Sequence, residues 1–587
     1  MILQALNKYY ERKSGSGELA PEGFERKEIP FVLVIDRNGK LVQIEDTRSG
    51  TGKKRQARSY LVPQAVKKTS GVSANLLWDT AEYVLGVDTR DKPERVAKQH
   101  EAFVARLAEL AVAANDPGLQ AAHRFLTAID RSQLESEPAW KEVIETNPPM
   151  SLRIIDDAVT LICERPAIVN ALRAPAALNA EVTDQGFCLV RAQSDAIARL
   201  HPSIKGVWGA QSSGANIVSF NLDAFNSYGK GQGANAPIGE LAAFTYTTAL
   251  NHLLRKGSTQ RMQVGDASTV FWAANESPFE VDFAAMFGVA QSDDPDRGTQ
   301  AIRNLYAAVQ SGVYSGADAE TEFFVLGLAP NAARIAIRFW HSALVKAIAP
   351  TILQHFEDLK IVRPGFEPPY IPLWRVLSSV ALLGKSDNVP PNLGGDVIRS
   401  ILSGAPYPAT LLQSAIRRCR AEQDVGYARA AVIKASLNRL IRHRQFTAKE
   451  LLMSLDRENT DAAYRLGRLF AALERIQSEA QPGINATIRD RYYGAACSSP
   501  ASVFPILLKL KNHHLSKLDN PRRANWFEKT LGEIFSGIAG FPAHLGLQDQ
   551  GLFAVGYYHQ QQDFYTSKAK SENAVAEVPN STGETNA

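Results

Sequence analysis

Lysine, asparagine, glutamine, tyrosine and glycine together can hold phosphates and read base edges, and one stretch of this 587-residue chain concentrates them. From Asn226 to Asn235 the order is Asn-Ser-Tyr-Gly-Lys-Gly-Gln-Gly-Ala-Asn. Its glycines, Gly229, Gly231 and Gly233, remove the Cβ atoms that would keep a ligand away. Asn226, Tyr228, Lys230, Gln232 and Asn235 supply donors around them. This is not a P-loop: Gly229-Lys230 is followed by Gly231 where Ser or Thr is needed, and Ala224 stands at the first-glycine position. The competing reading is an ordinary surface turn.

Two cationic regions could meet a polyanion. From Arg48 to Trp78 the cations are Arg48, Lys53, Lys54, Arg55, Arg58, Lys67 and Lys68, with no acidic residue. Of these, Lys53, Lys54, Arg55, Arg58, Lys67 and Lys68 are candidate DNA-backbone contacts. After Lys67-Lys68 and a glycine turn come Ser73 and Asn75, at the expected start of a helix. There, helix-start amides favour phosphate and Asn can bond a base edge; a helix cap is the alternative for Asn75. Residues 410–530 carry 21 Lys or Arg against 11 Asp or Glu, although the whole chain nets only +4. Within that region Leu466, Leu469, Phe470, Leu473 and Ile476 fall in roughly 120° of helical arc, and Arg465, Arg468 and Arg475 form a separate stripe that could face phosphate. Arg489 and Arg491 follow. Tyr60, Tyr228 and Tyr492-Tyr493 sit beside cations as packed rings or stacking platforms, with Tyr228 ranked first because its neighbours are small.

Catalysis finds little support. The chain has no His-Glu-x-x-His, no Gly-x-Ser-x-Gly and no closely spaced acidic trio of nuclease type. Cys497 lacks a base at motif spacing, and His513-His514 reads as a solvated helix face. Cys163, Cys188, Cys419 and Cys497 are far apart, which argues against a zinc site or a disulfide framework. The expectation is no catalytic residue, no metal and no cofactor. With no signal-peptide pattern and no run of about 18 apolar residues, a soluble cytoplasmic protein is expected.

The elements that must position these residues read as an α+β, multidomain chain. Residues 31–44 predict two strands joined by a tight turn at Asn38-Gly39. A basic loop over 48–68 and a helix near 75–85 follow. From about 95 to 175 the apolar spacing turns helical, first at Val104, Leu107, Leu110 and Ala111, then at Ile154, Ile155, Val159 and Ile162. Strand-like pieces return at 186–190, 216–220, 269–272 and 322–326. The expected organisation is a mixed α/β portion with helical insertions over 1–400, sub-divided near 180, then an all-α C-terminal helical bundle over 405–565. Residues 566–587 lack apolar anchors and predict a disordered tail.

Several segments resemble, in order, the large subunit of the type I-C CRISPR Cascade complex. They are Met1-Ile-Leu-Gln-Ala-Leu-Asn-Lys-Tyr-Tyr10, Ala74-Asn-Leu-Leu-Trp-Asp-Thr-Ala-Glu-Tyr-Val-Leu-Gly86, the run from Val218 to Pro237, Thr245 to Leu254, Gly265 to Ala273, Tyr464 to Glu474, and Thr487 to Tyr493. The resemblance implies a non-catalytic subunit of a guide-RNA (crRNA) complex. Such a subunit recognises the protospacer-adjacent motif on double-stranded target DNA, helps open it, stabilises the R-loop and helps recruit a helicase-nuclease. The implied partners are the backbone, 5′-handle-binding and small Cascade subunits, in a prokaryotic cytoplasm, without a membrane. Ser73, Asn75, Asn226, Tyr228, Lys230, Gln232 and Asn235 become candidates for motif recognition and opening. Arg465, Arg468, Arg475, Arg489 and Arg491 become candidates for a strand path. The resemblance also implies a separately translated small subunit, for which Met453 is the candidate internal start; an ordinary helix-interior methionine is the alternative. An independent nucleic-acid-processing enzyme and a purely structural scaffold are the competing functions.

Overall fold

Phe31-Val-Leu-Val-Ile35 is apolar at every position, the pattern of a strand covered on both faces, and each of its residues is buried. It is the second strand of the computed structural model, which describes residues 1–50, 55–66, 71–173, 185–288, 296–310 and 317–576. The chain forms two compact units, Met1–Lys205 with Ser213–His252, and Gly206–Ser212 with Leu253–Ala587.

In the first unit, β1 (Phe24–Glu28), β2 (Phe31–Ile35), β3 (Leu41–Asp46), β4 (Ser59–Pro63), β5 (Trp78–Thr80) and β6 (Pro149–Ile154) make two sheets. Four strands lie in the order β3-β2-β6-β5, with β2 and β6 parallel, and β1 pairs with β4. The β2–β3 turn forms as expected, but only Gly39 takes a positive φ, +85°. Asp36 does the rest, its Oδ1 accepting from the Asn38 and Lys40 amides at 2.8 Å. The helix Pro93–Ala113 starts with proline at its first position and buries Val96, Phe103, Leu107 and Leu110. The pattern at 154–162 is not helical: Ile154 ends β6, and only a short 3₁₀ turn, Ile162–Glu164, follows. Likewise the helix expected near 75–85 is strand β5 followed by the single turn Ala81–Leu85. A separate hairpin, β7 (Gln185–Cys188) with β8 (Gln193–Ala196), completes the unit's strands. Residues 216–220 form no strand.

In the second unit, β9 (Arg261–Val264), β10 (Ala267–Ala273), β11 (Glu322–Asn331) and β12 (Arg334–Leu344) form an antiparallel sheet. After β12 every regular element among the described residues is helical. The helices Val345–Leu359 and Leu393–Ser403 pack on β12, and the first also packs on Tyr427–Arg442. One hydrophobic core therefore runs from Met262 to Phe564, and neither expected boundary, near 180 or near 400, coincides with a border between the units. The helices Ala462–Ala480 and Leu547–Ala576 cross at two glycines. A Cβ on Gly467 would lie 2.0 Å from the Phe553 carbonyl, and one on Gly556 would lie 2.1 Å from that of Tyr464. The last helix runs to Ala576, so residues 566–576 are not the tail expected for them; 577–587 lie outside the described residues. Among the described residues no helix is long and apolar enough to cross a membrane.

Candidate nucleic-acid interface

The glycine-rich loop stands on the β7–β8 hairpin. Leu189 N donates to Pro237 O at 3.0 Å, Ala198 N to Ile238 O at 2.9 Å, and Gly233 N to Arg199 O at 3.2 Å. Gly233 permits this seating, since a Cβ there would meet the Ala198 carbonyl at 2.1 Å. It is therefore a packing glycine, not one that admits a ligand. Above the base, residues 221–231 are all exposed.

At the tip, Lys230 N donates to Ser227 O at 3.0 Å, closing a turn whose central residues, Tyr228 (φ 54°) and Gly229 (φ 69°), are both left-handed. That is a type I′ turn, which glycine tolerates and tyrosine resists by about 1–2 kcal/mol. Gln232 (φ 44°) carries the same strain. One side chain holds the arrangement. Asn235 Nδ2 donates to Asn226 Oδ1 at 3.1 Å and to the carbonyls of Lys230 and Gln232 at 3.0 Å, while its Oδ1 accepts from Ser227 N at 2.9 Å. Asn226 and Asn235 thus spend their side chains on each other and on the loop backbone. The loop presents Tyr228 instead, whose ring is 99% exposed, beside exposed Lys230.

Asn75 plays a similar clasping part and is not at a helix start; the cap position of the following turn is Thr80. Asn75 is 5% exposed, its Oδ1 accepting from Val66 N at 3.0 Å and its amide donating to Asp79 Oδ2 at 2.8 Å. It thereby ties residue 66 to residue 75, and Trp78 Nε1 donates to Pro63 O at 2.7 Å. Lys67 and Lys68, between those ends, lie outside the described residues; Ser73 is exposed. Lys27 stacks its ammonium 5.1 Å from the Trp78 ring, and burial, with Lys205 nearby, draws its pKa below the usual lysine value.

The basic segment is less free than its acid-less sequence suggests. Arg48 pairs with Asp46 and with Glu142, the latter 94 residues away, and lies over the Phe31 ring at 4.6 Å. Arg55 also pairs with Asp46. The Arg48 hydrogen bond is the main reason that the Asp46 carboxyl falls to about 2. Arg58 is exposed, its guanidinium 5.3 Å from Tyr60, which is itself a buried ring. Lys53 and Lys54 lie outside the described residues.

In the helical part the expected arginine stripe does not face solvent. Arg465 is 7% exposed and caps the helix Pro521–Phe535, donating to the carbonyls of Asn459, Glu533 and Ile534. Arg468 is 1% exposed and bonds Gln560 and Glu533 at 3.1 and 2.8 Å. Arc position alone put these side chains on a surface; the helix is in fact packed on several sides, against Leu547–Ala576 and Pro521–Phe535 among others. Arg475 pairs with Glu479 and Arg489 with Glu474, while Arg491 is exposed. Tyr493 is core and Tyr492 is half-buried; His513 is exposed as expected, whereas His514 is buried. Met453 is 57% exposed and lies outside any helix, its carbonyl accepting from Val362 N at 2.7 Å. Among the described residues no group of three or more His, Cys, Asp or Glu could hold a metal ion.

The family described as CRISPR-associated protein (Cas_Csd1) matches the chain over residues 6–565. No curated protein matches it.

Proposed function

The chain belongs to the CRISPR-associated Csd1 family, and from that premise we propose that it is the large subunit of a type I-C Cascade. It binds rather than cleaves, works in a prokaryotic cytoplasm with guide RNA and the other Cascade subunits, finds the protospacer-adjacent motif on duplex target DNA, helps open it, holds the R-loop and helps recruit the helicase-nuclease. One observation carries the assignment of the work within the chain: the clasped turn that holds Tyr228 fully exposed beside Lys230. An aromatic ring set in advance on a strained turn can stack on a base exposed when the duplex opens, and stacking is worth about 1–3 kcal/mol per base. Lys230 meets the adjoining phosphate. Ser73 and Asn75 with Lys67 and Lys68, and the segment of Lys53, Lys54, Arg55 and Arg58, contribute backbone contacts.

The test compares the assembled complex carrying Tyr228→Ala/Lys230→Ala with the parent on duplexes that have or lack the motif. Affinity for the motif-bearing duplex should fall by about tenfold or more, with non-motif binding nearly intact; equal losses on both duplexes would reject the assignment.

Internal translation at Met453 belongs to the same proposal. It is supported by the position of Met453 in the exposed link before the helix Ala462–Ala480, so that a product begun there would contain each later helix whole. Mass spectrometry of a complex expressed from the unaltered gene should show a species beginning near Met453, removed by synonymous recoding upstream. Its absence from an otherwise complete complex would reject this part.

A further inference from the structure

The helix Ala409–Glu422 spends one of its arginines on structure and turns two others outward. Arg418 pairs with Glu422 and is mostly covered, whereas Arg417 and Arg420 are exposed and, among the described residues, have no ion-pair partner. Both line a groove of about 550 Å³ with Gln413 of the same helix, Gly494 of the helix Ile488–Ser498, and Leu547 and Gln550 at the start of the helix Leu547–Ala576. That volume lies within the range of about 300–1,000 Å³ usual for ligand sites. No carboxylate lines it. Asp549, on the same turn as Gln550, is turned to the Gly546 amide at 3.2 Å. Gly494 leaves the floor low, since a Cβ there would meet nothing closer than the Arg420 carbonyl at 3.7 Å. Arg491, one turn before Gly494 on the same helix, is also exposed. The neighbouring groove lined by Arg475 and Arg489 differs, because Glu474 lies in it and pairs with Arg489.

We propose that the groove of Arg417 and Arg420 holds the phosphodiester backbone of an unpaired nucleic-acid strand. This rests on the reading of the chain as a nucleic-acid-binding subunit, and it places a strand site at residues different from the buried Arg465 and Arg468. The two residues sit one turn apart, about 4.5 Å of helix rise, and their long side chains can reach successive phosphates. Half-buried Leu547 offers an apolar surface to sugar or base, and exposed Gln413 can bond either, whereas Gln550 accepts from Arg420 Nη1 at 3.4 Å and donates to Leu545 O at 2.9 Å. A mixture of cations and apolar surface suits a nucleotide strand better than an acidic peptide, which has only charge to place. Both arginines precede Met453, so a product begun there lacks this half of the groove.

The experiment uses the purified full chain and a fluorescent oligothymidylate in a salt titration. Each phosphate neutralised on a single strand contributes about 0.7 to the slope of log affinity against log salt. Arg417→Ala/Arg420→Ala should therefore lower the slope by about 1.4, a loss of about 25-fold at 0.1 M salt if affinity at 1 M is unchanged. Arg418→Ala, whose side chain is already paired, should leave the slope alone. An unchanged slope in the double variant overturns the proposal. So does displacement of the strand by adenosine triphosphate or by polyglutamate at equal charge concentration, which would identify a free nucleotide or an acidic peptide as the occupant. The Tyr228→Ala/Lys230→Ala variant is measured beside it on motif-bearing duplex. Failure there counts against the main reading and leaves the groove result standing.

Discussion

Asn235→Ala should weaken target binding without unfolding anything, because its carboxamide orders a loop and fills no core. Four hydrogen bonds depend on that side chain. At about 0.5 kcal/mol each, the low end suited to an exposed site, they contribute about 2 kcal/mol. Against them stand two left-handed non-glycine residues, Tyr228 and Gln232, each costing about 1–2 kcal/mol. The clasp and the strain are of similar size, so removing the clasp makes the presented turn a minority conformation. A shift of about 2 kcal/mol takes a competent fraction of about one half to about one in thirty, and so lowers the apparent affinity by about 15-fold. Asn235→Asp should do worse than alanine, since it sets a carboxylate against Asn226 Oδ1 and two carbonyls with nothing to donate. The assay is fluorescence polarisation of the assembled complex on a motif-bearing duplex, alongside the rate of chymotryptic cleavage after Tyr228 and the thermal melting of the chain. Weaker binding, faster cleavage and unchanged melting are expected. Parent-like affinity in both variants would show that the clasp does not set the loop for binding, and a melting loss matching the binding loss would make Asn235 merely structural.

Other consequences are open to measurement. Gly467→Ala should cost at least about 1–3 kcal/mol in thermal denaturation, because its Cβ would lie 2.0 Å from the Phe553 carbonyl and the helices must part. Arg465→Ala should destabilise the fold by about 1–3 kcal/mol and leave the salt dependence of DNA binding unchanged, the reverse of a phosphate contact. His355 and His559 are buried and held neutral, their pKa values lowered chiefly by burial, that of His559 to about 3. The unfolded chain therefore binds up to two more protons below the usual histidine value of about 6.5. Stability should fall with acidification at up to about 2.7 kcal/mol per pH unit between pH 6 and 4, read from denaturant midpoints. A flat profile there would show that these imidazoles titrate in the fold.

The β2–β3 hairpin, the helix Pro93–Ala113 and the all-helical region after β12 were legible because each is set by local periodicity and turn chemistry. Ile154 to Ile162 misled because a short buried strand and a 3₁₀ turn can mimic helical spacing over so few residues. The borders of the units were not legible, since the sheet β9–β12 and the later helices share one core and no composition break marks it. At the site, the glycine-rich loop was visible as composition. That Asn235 faces inward while Tyr228 faces out depends on side-chain hydrogen bonds spanning eight and nine residues and two left-handed residues that no pattern announces. The basic segment looked unpaired because Glu142 meets Arg48 only through the fold. Arg465 and Arg468 looked exposed because a charged stripe beside an apolar one ordinarily is. Buried arginines that cap a helix end and bond a glutamine could have been suspected only from the close crossing at Gly467.

The claim that the clasped loop meets the opening duplex is tested most directly by photo-crosslinking. With p-azidophenylalanine in place of Tyr228 in the assembled complex, irradiation on motif-bearing target DNA should give a crosslink to a base beside the motif, lost when the motif is scrambled. A crosslink only to guide RNA or to another subunit, or none on bound target, would contradict the account.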